Sequence, residues 1–501
     1  MTEVEPRNEE NVKHPAEENP LYLLATIYGE PGKRDTDLKI KNRAAWNRYM
    51  ATRFQDKYPS VVRADILDRI ERPAPFTPQE VDQLERAFSL RKPAHLDLKI
   101  FDLDLKEMDL GGAQLDFEGI EFDKKVSFDQ YWFPVFTSFR GATFLKGGSF
   151  SSAVFSEGAW FPDVCFSDIA SFNKAIFSQG AWFRNVTFSK GAWFEGATFL
   201  VETQFNGGTF LGSAHFRQAS FSGLALFTGT NFSGSASFNG ATFSNESVFE
   251  DAIFASEARF NNAKLSGNSL FTNATFSGAV SFDDVVFSKR AWFKNAEFFS
   301  EVSFINAEMK GPTSFGASFR NSPPDFSGAK LHEGTDWYRA EWPSEAKDLE
   351  QAVRFVQAYE RLKLEMDRLK KHEDELDFFA REMQSRRVLR GGWKGLPIGV
   401  YELISDFGRS YLRPLLGLFI TVVPGALPFW LYFGPFNLTE AVGLSLANAF
   451  GALGFRKDFI DPEVIEALPS VLKVWSGVQS IVGAILLFLL GLALRNRMRM
   501  K

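Results

Sequence analysis

The chain has 501 residues, a formal charge of -6, 45% hydrophobic and 24% charged residues. That balance excludes a strongly basic nucleic-acid binder and a disordered acidic chain, so no nucleic-acid partner is expected, and the length calls for more than one domain. The single cysteine, Cys165, excludes an intrachain disulfide framework and fits a reducing compartment. Residues 1–20 are polar and charged without an apolar centre, which predicts a disordered tail and no secretory signal. Leu23, Leu24, Ile27, Trp46, Met50 and Phe54, then Val81, Leu84 and Phe88, predict helices over residues 21–95.

From Phe128 to Phe315 every eleventh residue is phenylalanine, at eighteen positions without exception. A second series from Phe133 is Phe at fifteen of seventeen positions, with Leu265 and Met309 at the others, so the steps alternate five and six. Two residues before each Phe stands a small residue, as in Gly141-Ala142-Thr143-Phe144 and Gly240-Ala241-Thr242-Phe243, with Tyr131 the exception. A small residue and a Phe two apart point to one side of a strand, and the residue between them faces away. A helix is excluded, because steps of five and six rotate by about 500° and about 600° and scatter the rings over its faces. The Gly, Ser, Thr and Asn of this stretch are also poor helix formers. What remains is a mainly β solenoid with sides of about five residues joined by tight bends.

Here the chain resembles the pentapeptide-repeat family, whose units carry a small residue at one inward position and Leu or Phe two later. Ile100, Leu105, Leu110, Leu115 and Ile120 keep that family's plain five-residue step, and Ala113-Gln114-Leu115 is close to its consensus. The resemblance implies a right-handed quadrilateral β-helix over residues 96–335. From Phe122 the chain departs from the uniform step by one added residue in every second unit. The expectation is a coil of about 22 residues with four inward Phe, roughly 40 Å long at about 4.8 Å per coil. The helices over residues 21–95 then serve as its N-terminal cap.

The pattern loosens at Ser322-Pro323-Pro324, with echoes at Phe326 and Leu331 and an aromatic cluster of Trp337, Tyr338 and Trp342. Leu349, Val353, Val356, Tyr359 and Leu362 lie at helical spacing, and His372-Glu373-Asp374 marks a turn to a second helix. Residues 344–392 thus read as a helical hairpin, packed on the solenoid end or pairing with a second subunit.

Residues 393–501 read as a membrane domain. The stretches 415–433 and 474–494 are uncharged and long enough to span a bilayer, although Pro414, Pro424 and Pro428 kink the first. Arg386, Arg387, Arg390, Lys394, Arg409 and Arg413 precede the first span, and Arg495, Arg497, Arg499 and Lys501 follow the second. Between them stand only Arg456, Lys457 and Lys473, diluted by Asp458, Asp461, Glu463 and Glu466. The positive-inside rule then puts both termini in the cytoplasm, with a bacterial inner membrane the expected multi-pass setting. Residues 439–455 are apolar but too short to cross. A re-entrant segment here, with Asn448, Phe450, Gly451 and Gly454 around its turn, resembles the layout of a two-helix pore-loop channel. It lacks the TVGYG-type filter, and an interfacial helix explains it equally well.

Catalytic constellations are absent from the sequence. His14, His95, His215, His332 and His372 are scattered without metal spacing, and Asp163, Glu195, Asp283 and Asp284 read as solvated face residues. No cofactor or metal is implied, and the chain does not read as an enzyme. Trp160 and Trp182 are one coil apart and Trp292 is six coils after Trp160, so they share an outward face, with Trp193 opposite. These tryptophans are the candidate interaction surface. The leading expectation is a cytoplasmic scaffold anchored in a lipid bilayer and binding a protein partner. The alternative is a homo-oligomeric channel or transducer with the solenoid as sensor. A remote third follows from the resemblance alone, a DNA-mimicking topoisomerase inhibitor, which departs from the acidic, soluble character of such proteins.

Overall fold

The computed structural model describes residues 14–16, 20–29, 36–53, 76–80, 82–83, 86, 114–434, 436–454 and 462–499. Phe54, Val81, Leu84, Phe88, His95, Ile100, Leu105 and Leu110 lie outside the described residues, as do Phe455, Arg456, Lys457, Asp458 and most of the expected tail. The chain divides into two units, Met1–Pro343 and Ser344–Lys501.

In the first unit short strands, most of two residues, alternate with bends and stack into four parallel sheets of eleven, ten, nine and nine strands. Each side pairs with itself one coil on: Ala159–Trp160 with Ala181–Trp182 (face one), Cys165–Phe166 with Thr187–Phe188 (face two), Ala170–Ser171 with Ala192–Trp193 (face three), and Ile176–Phe177 with Thr198–Phe199 (face four). After each Phe of the first series up to Phe304 comes a turn, hydrogen-bonded at most positions, in which Ala175 N donates to Phe172 O at 3.0 Å and Ala197 N to Phe194 O at 3.1 Å. Its third residue is left-handed, as at Asn185 (φ 53), Gly196 (φ 64), Asn262 (φ 59) and Asp284 (φ 56). A type II turn requires that conformation, which is why Gly, Asn and Asp collect there. After each Phe of the second series the link is one residue longer and, Gly147 apart, avoids positive φ. Two alternating kinds of bend are thus the cause of the five and six.

Inside, the rings stack on the rings one coil away, except Phe287, whose column neighbours are Leu265 and Met309. Phe183 and Phe205 have centroids 4.8 Å apart and planes 4° from parallel, and Phe199 and Phe221 match them at 4.8 Å and 6°. Around a coil the rings meet edge to face, as Phe161 and Phe172 do at 5.5 Å and 89°. Both geometries are favoured by the ring quadrupole. Leu265 and Met309 keep the same register and are buried.

Leu115 and Ile120 do not hold the large inward position that the five-residue step predicts. Leu115 is in register with Thr137, and Glu121 with Thr143, so Leu115 and Ile120 fill the small-residue position. Phe117 and Phe122 take the large one, stacked 4.6 Å from Phe139 and 4.5 Å from Phe144. They stand eleven residues before Phe128 and Phe133, and continuing the ring stack buries more apolar surface than the shorter step would.

The helices Pro20–Ala25 and Thr36–Arg53 cover the first coil. Trp46, fully buried, lies 5.8 Å from Phe133 and donates to Trp132 O at 2.9 Å, while the Tyr131 hydroxyl donates to Ala25 O at 2.7 Å. His14–Pro15 pairs with Ile120–Glu121 and closes one sheet edge. At the far end Phe319 follows Phe315 by a short step, and the register then recovers. Phe326 stacks on Phe304 at 4.8 Å, Trp337 on Phe315 at 4.8 Å, and Trp342 packs on Phe319 at 5.3 Å. The coil therefore continues past Ser322 to Trp342.

The second unit begins with a hairpin of Leu349–Arg368 and His372–Arg390, turned at left-handed Lys370 (φ 59) and closed over Phe355, Tyr359, Leu362 and Phe378. The helix Gly392–Ser405 follows. Leu412–Phe433 (22 residues) and Ser470–Arg499 (30 residues) are each long and apolar enough to cross a membrane. The first is broken by a tight turn at Pro424–Ala426, and Leu438–Ala449 lies between the two in sequence and packs on both.

Replacing Phe216, fully buried in mid-stack, with Ala is expected to cost about 3–5 kcal/mol in urea unfolding followed by circular dichroism. Exposed Ser222→Ala should stay within about 0.5 kcal/mol of the parent.

Candidate interaction surface

The residue between the inward pair points out, so each face presents one column of side chains spaced by one coil. Face one carries Trp160, Trp182, Gln204, Leu226, Val248, Leu270 and Trp292 in consecutive register. Six of these seven are large and apolar. Trp160 and Trp292 remain 40% and 41% exposed, Trp182, Leu226 and Leu270 are half-buried, and Val248 is buried. The indoles of Trp160 and Trp182 have ring centroids 6.0 Å apart, and Phe136 meets Trp160 edge-on at 5.5 Å. Glycine makes room for this: a Cβ at Gly180 would lie 2.4 Å from the Trp182 ring, and one at Gly158 would lie 2.9 Å from it.

The other columns are polar or mixed. Face two shows Cys165, Thr187, Thr209, Asn231 and Ile253, with the Cys165 thiol half-buried and its sulfur 3.8 Å from the Ser167 hydroxyl. On face three Trp193 lies against His215 at 5.0 Å, among Ser171, Ser237 and Arg259. Trp193 is thus across the coil from the other three tryptophans, as the spacing predicts, and belongs to a separate patch. Leu226, Val248 and Leu270 were not singled out from sequence, although each stands a whole number of coils from Trp182.

The carboxylates tie coil to coil. Asp163 accepts from Asn185 Nδ2 at 3.1 Å, Asp284 from Asn306 Nδ2 at 3.3 Å, and Asp283 from Ile305 N at 2.9 Å. Among the described residues one group has metal-ligand geometry, Asp367, His372 and Glu375. There His372 Nδ1 lies 3.0 Å from a Glu375 carboxylate oxygen and 3.2 Å from the Arg499 guanidinium.

In the second unit Asn448 and its neighbours form a buried polar knot. Gln479 Nε2 donates to Gly425 O at 2.9 Å and lies 2.8 Å from Ser445 Oγ, while Asn448 Nδ2 donates to Gln479 Oε1 at 3.1 Å and Ser476 Oγ to Asn448 Oδ1 at 2.7 Å. Ser445 Oγ donates to Val422 O at 2.8 Å. The turn at Pro424 frees main-chain carbonyls from the helical ladder, and these side chains satisfy them. Gly483 lets the end of Leu438–Ala449 reach the middle of Ser470–Arg499, since a Cβ there would lie 2.1 Å from Ala449 O. Phe450 follows, and Gly451–Leu453 makes a tight turn that ends at left-handed Gly454 (φ 85).

A profile of the family described as "Pentapeptide repeats (9 copies)" matches residues 166–209, 216–264 and 271–318. No curated protein and no solved structure matches the chain.

Burial beside Trp193 holds the His215 pKa below the ordinary imidazole value, with Glu195 raising it and Arg217 lowering it to a lesser degree. As pH falls through about 6.5 the unfolded chain takes up a proton that the folded chain refuses, so stability drops on the acid side. Between about pH 7.5 and about pH 5.5 the urea midpoint should fall more for the parent than for His215→Gln.

Proposed function

We propose that this chain, a pentapeptide-repeat protein over its solenoid, is a membrane-anchored scaffold that offers face one to a protein partner. The observation that carries the reading is the run from Trp160 to Trp292, in which six of seven outward residues are large and apolar on an otherwise largely polar coil. Scattered exposed apolar residues are ordinary on a protein surface, but a rigid column of them with aromatic ends, broken by Gln204 and by buried Val248, still has the chemistry of a binding surface. Because each position is pinned by a strand pair, little side-chain or loop entropy remains to be lost on binding. Leu412–Phe433 and Ser470–Arg499 supply the anchor, and the basic residues before the first and after the second favour a cytoplasmic solenoid. The outward column of face one is uncharged from Trp160 to Trp292, which favours a partner with a complementary apolar ridge over a nucleic acid.

A second reading, an oligomeric pore, is favoured by one feature: the carboxyl end of Leu438–Ala449 meets the second span at Gly483, near its middle. Against it, Asn448, Ser445, Ser476 and Gln479 direct their polar atoms to one another and to main-chain carbonyls of the same chain, where they clamp the fold instead of facing a passage.

A photoreactive side chain at position 160 or 292, in the full-length protein in its native membrane, should give a protein adduct of defined mass. The same group at Ser237, across the coil, should give none, and equal labelling at all three positions would sink the scaffold reading. In nanodiscs the scaffold reading expects a monomer or dimer, whereas a tetramer or larger ring would favour the pore.

A further inference from the structure

The helix Gly392–Ser405 has two unlike sides. Gly395, Ile398 and Ser405 are buried, and Ile398 joins Ala380 and Phe407 in a small core. Trp393, Leu396, Val400 and Leu403 are 88%, 50%, 43% and 74% exposed. Their spacing of three, four and three residues aligns them on one stripe. The helix's one acid, Glu402, is held on the packed side by Arg387 Nη1 at 2.6 Å and Gln384 Nε2 at 2.9 Å, so it places no free carboxylate beside the stripe. Arg390 and Lys394 stand exposed at its start. Arg413, in the first turn of the following span, donates to Glu402 O at 2.9 Å and ties the two helices together. Leu412, Leu415 and Leu416 continue the exposed apolar surface into that span.

We propose that Gly392–Ser405 is an interfacial elbow that lies in the headgroup layer of an anionic phospholipid leaflet. Trp393, Leu396, Val400 and Leu403 enter the acyl boundary, and Arg390 and Lys394 meet lipid phosphates. The inference rests on the reading that Leu412–Phe433 crosses the bilayer. Lipid is the occupant that the surroundings favour, because the stripe runs into a lipid-facing span, its leading aromatic is tryptophan, and its exposed charges are basic. The elbow fixes the depth at which the preceding hairpin is held against the membrane surface.

The test uses the full-length protein with Cys165 replaced by Thr, the residue its neighbours Thr143 and Thr187 carry in register. A single nitroxide is placed at Leu403, at Ile420 in the span, or at exposed Ser277 on the coil, in phosphatidylcholine vesicles with phosphatidylglycerol. Collision with oxygen should exceed collision with a water-soluble nickel chelate several-fold at 420 and at 403, and the order should reverse at 277. If 403 behaves as 277 does while 420 stays protected, the elbow is overturned and the span stands. If 403 is shielded from both reagents, a protein covers the stripe and the lipid assignment fails. If 420 is itself open to the chelate, the spanning reading and the elbow fall together.

Discussion

Everything in the coil depends on one coincidence of lengths. Parallel strands stack about 4.8 Å apart, and aromatic rings stacked in parallel are comfortable at nearly the same distance. Phe183 and Phe205, at 4.8 Å, satisfy both the hydrogen-bond ladder and the ring stack without either stretching. Edge-to-face contacts around each coil, such as Phe161 with Phe172, close the space between stacks, so four phenylalanines fill a cross-section that smaller side chains would leave hollow. The strict period follows from this, because a ring one residue out of place would break a stack and expose its own surface.

The same constraint frees the outside. The core is filled by the inward pair, so the residue between them is chosen by what the face must meet. On face one it is apolar at six of seven successive positions, Gln204 being the exception, and on faces two and four it is mostly threonine, serine or charged. The bends add their own ladders, where Asn295 Nδ2 donates to Asn273 Oδ1 at 3.2 Å and Asn273 Nδ2 to Asp251 Oδ1 at 3.0 Å. A surface built in this way is rigid, and its side chains sit at known intervals.

How much could be read beforehand depended on whether a feature repeats. The Phe register, the 22-residue coil and the sharing of a face by Trp160, Trp182 and Trp292 follow from counting. Leu226, Val248 and Leu270 escaped because the column changes residue type from coil to coil, and only its spacing is constant. Leu115 misled because a five-residue step fits two positions two residues apart, and only Phe117, eleven before Phe128, chooses between them. Trp337 and Trp342 looked like an isolated cluster because the short step from Phe315 to Phe319 hides their register. The knot of Gln479, Asn448 and Ser445 was out of reach, since its members come from separate helices and the carbonyls they serve are set free only by the break at Pro424. The elbow's sidedness depends on Glu402 turning toward Arg387, which spacing alone does not tell.

Each side of the coil rests on the side 22 residues on, and the lone Cys165 offers a direct measurement of that register. In the full-length protein, Thr187→Cys places a second thiol beside it on face two, whereas Thr198→Cys places one on face four. A short bis-methanethiosulfonate crosslinker should join Cys165 to position 187 within one chain and leave position 198 unlinked. Linkage to 198 in place of 187, or to neither, would contradict the register on which the stacked core and the apolar face both depend.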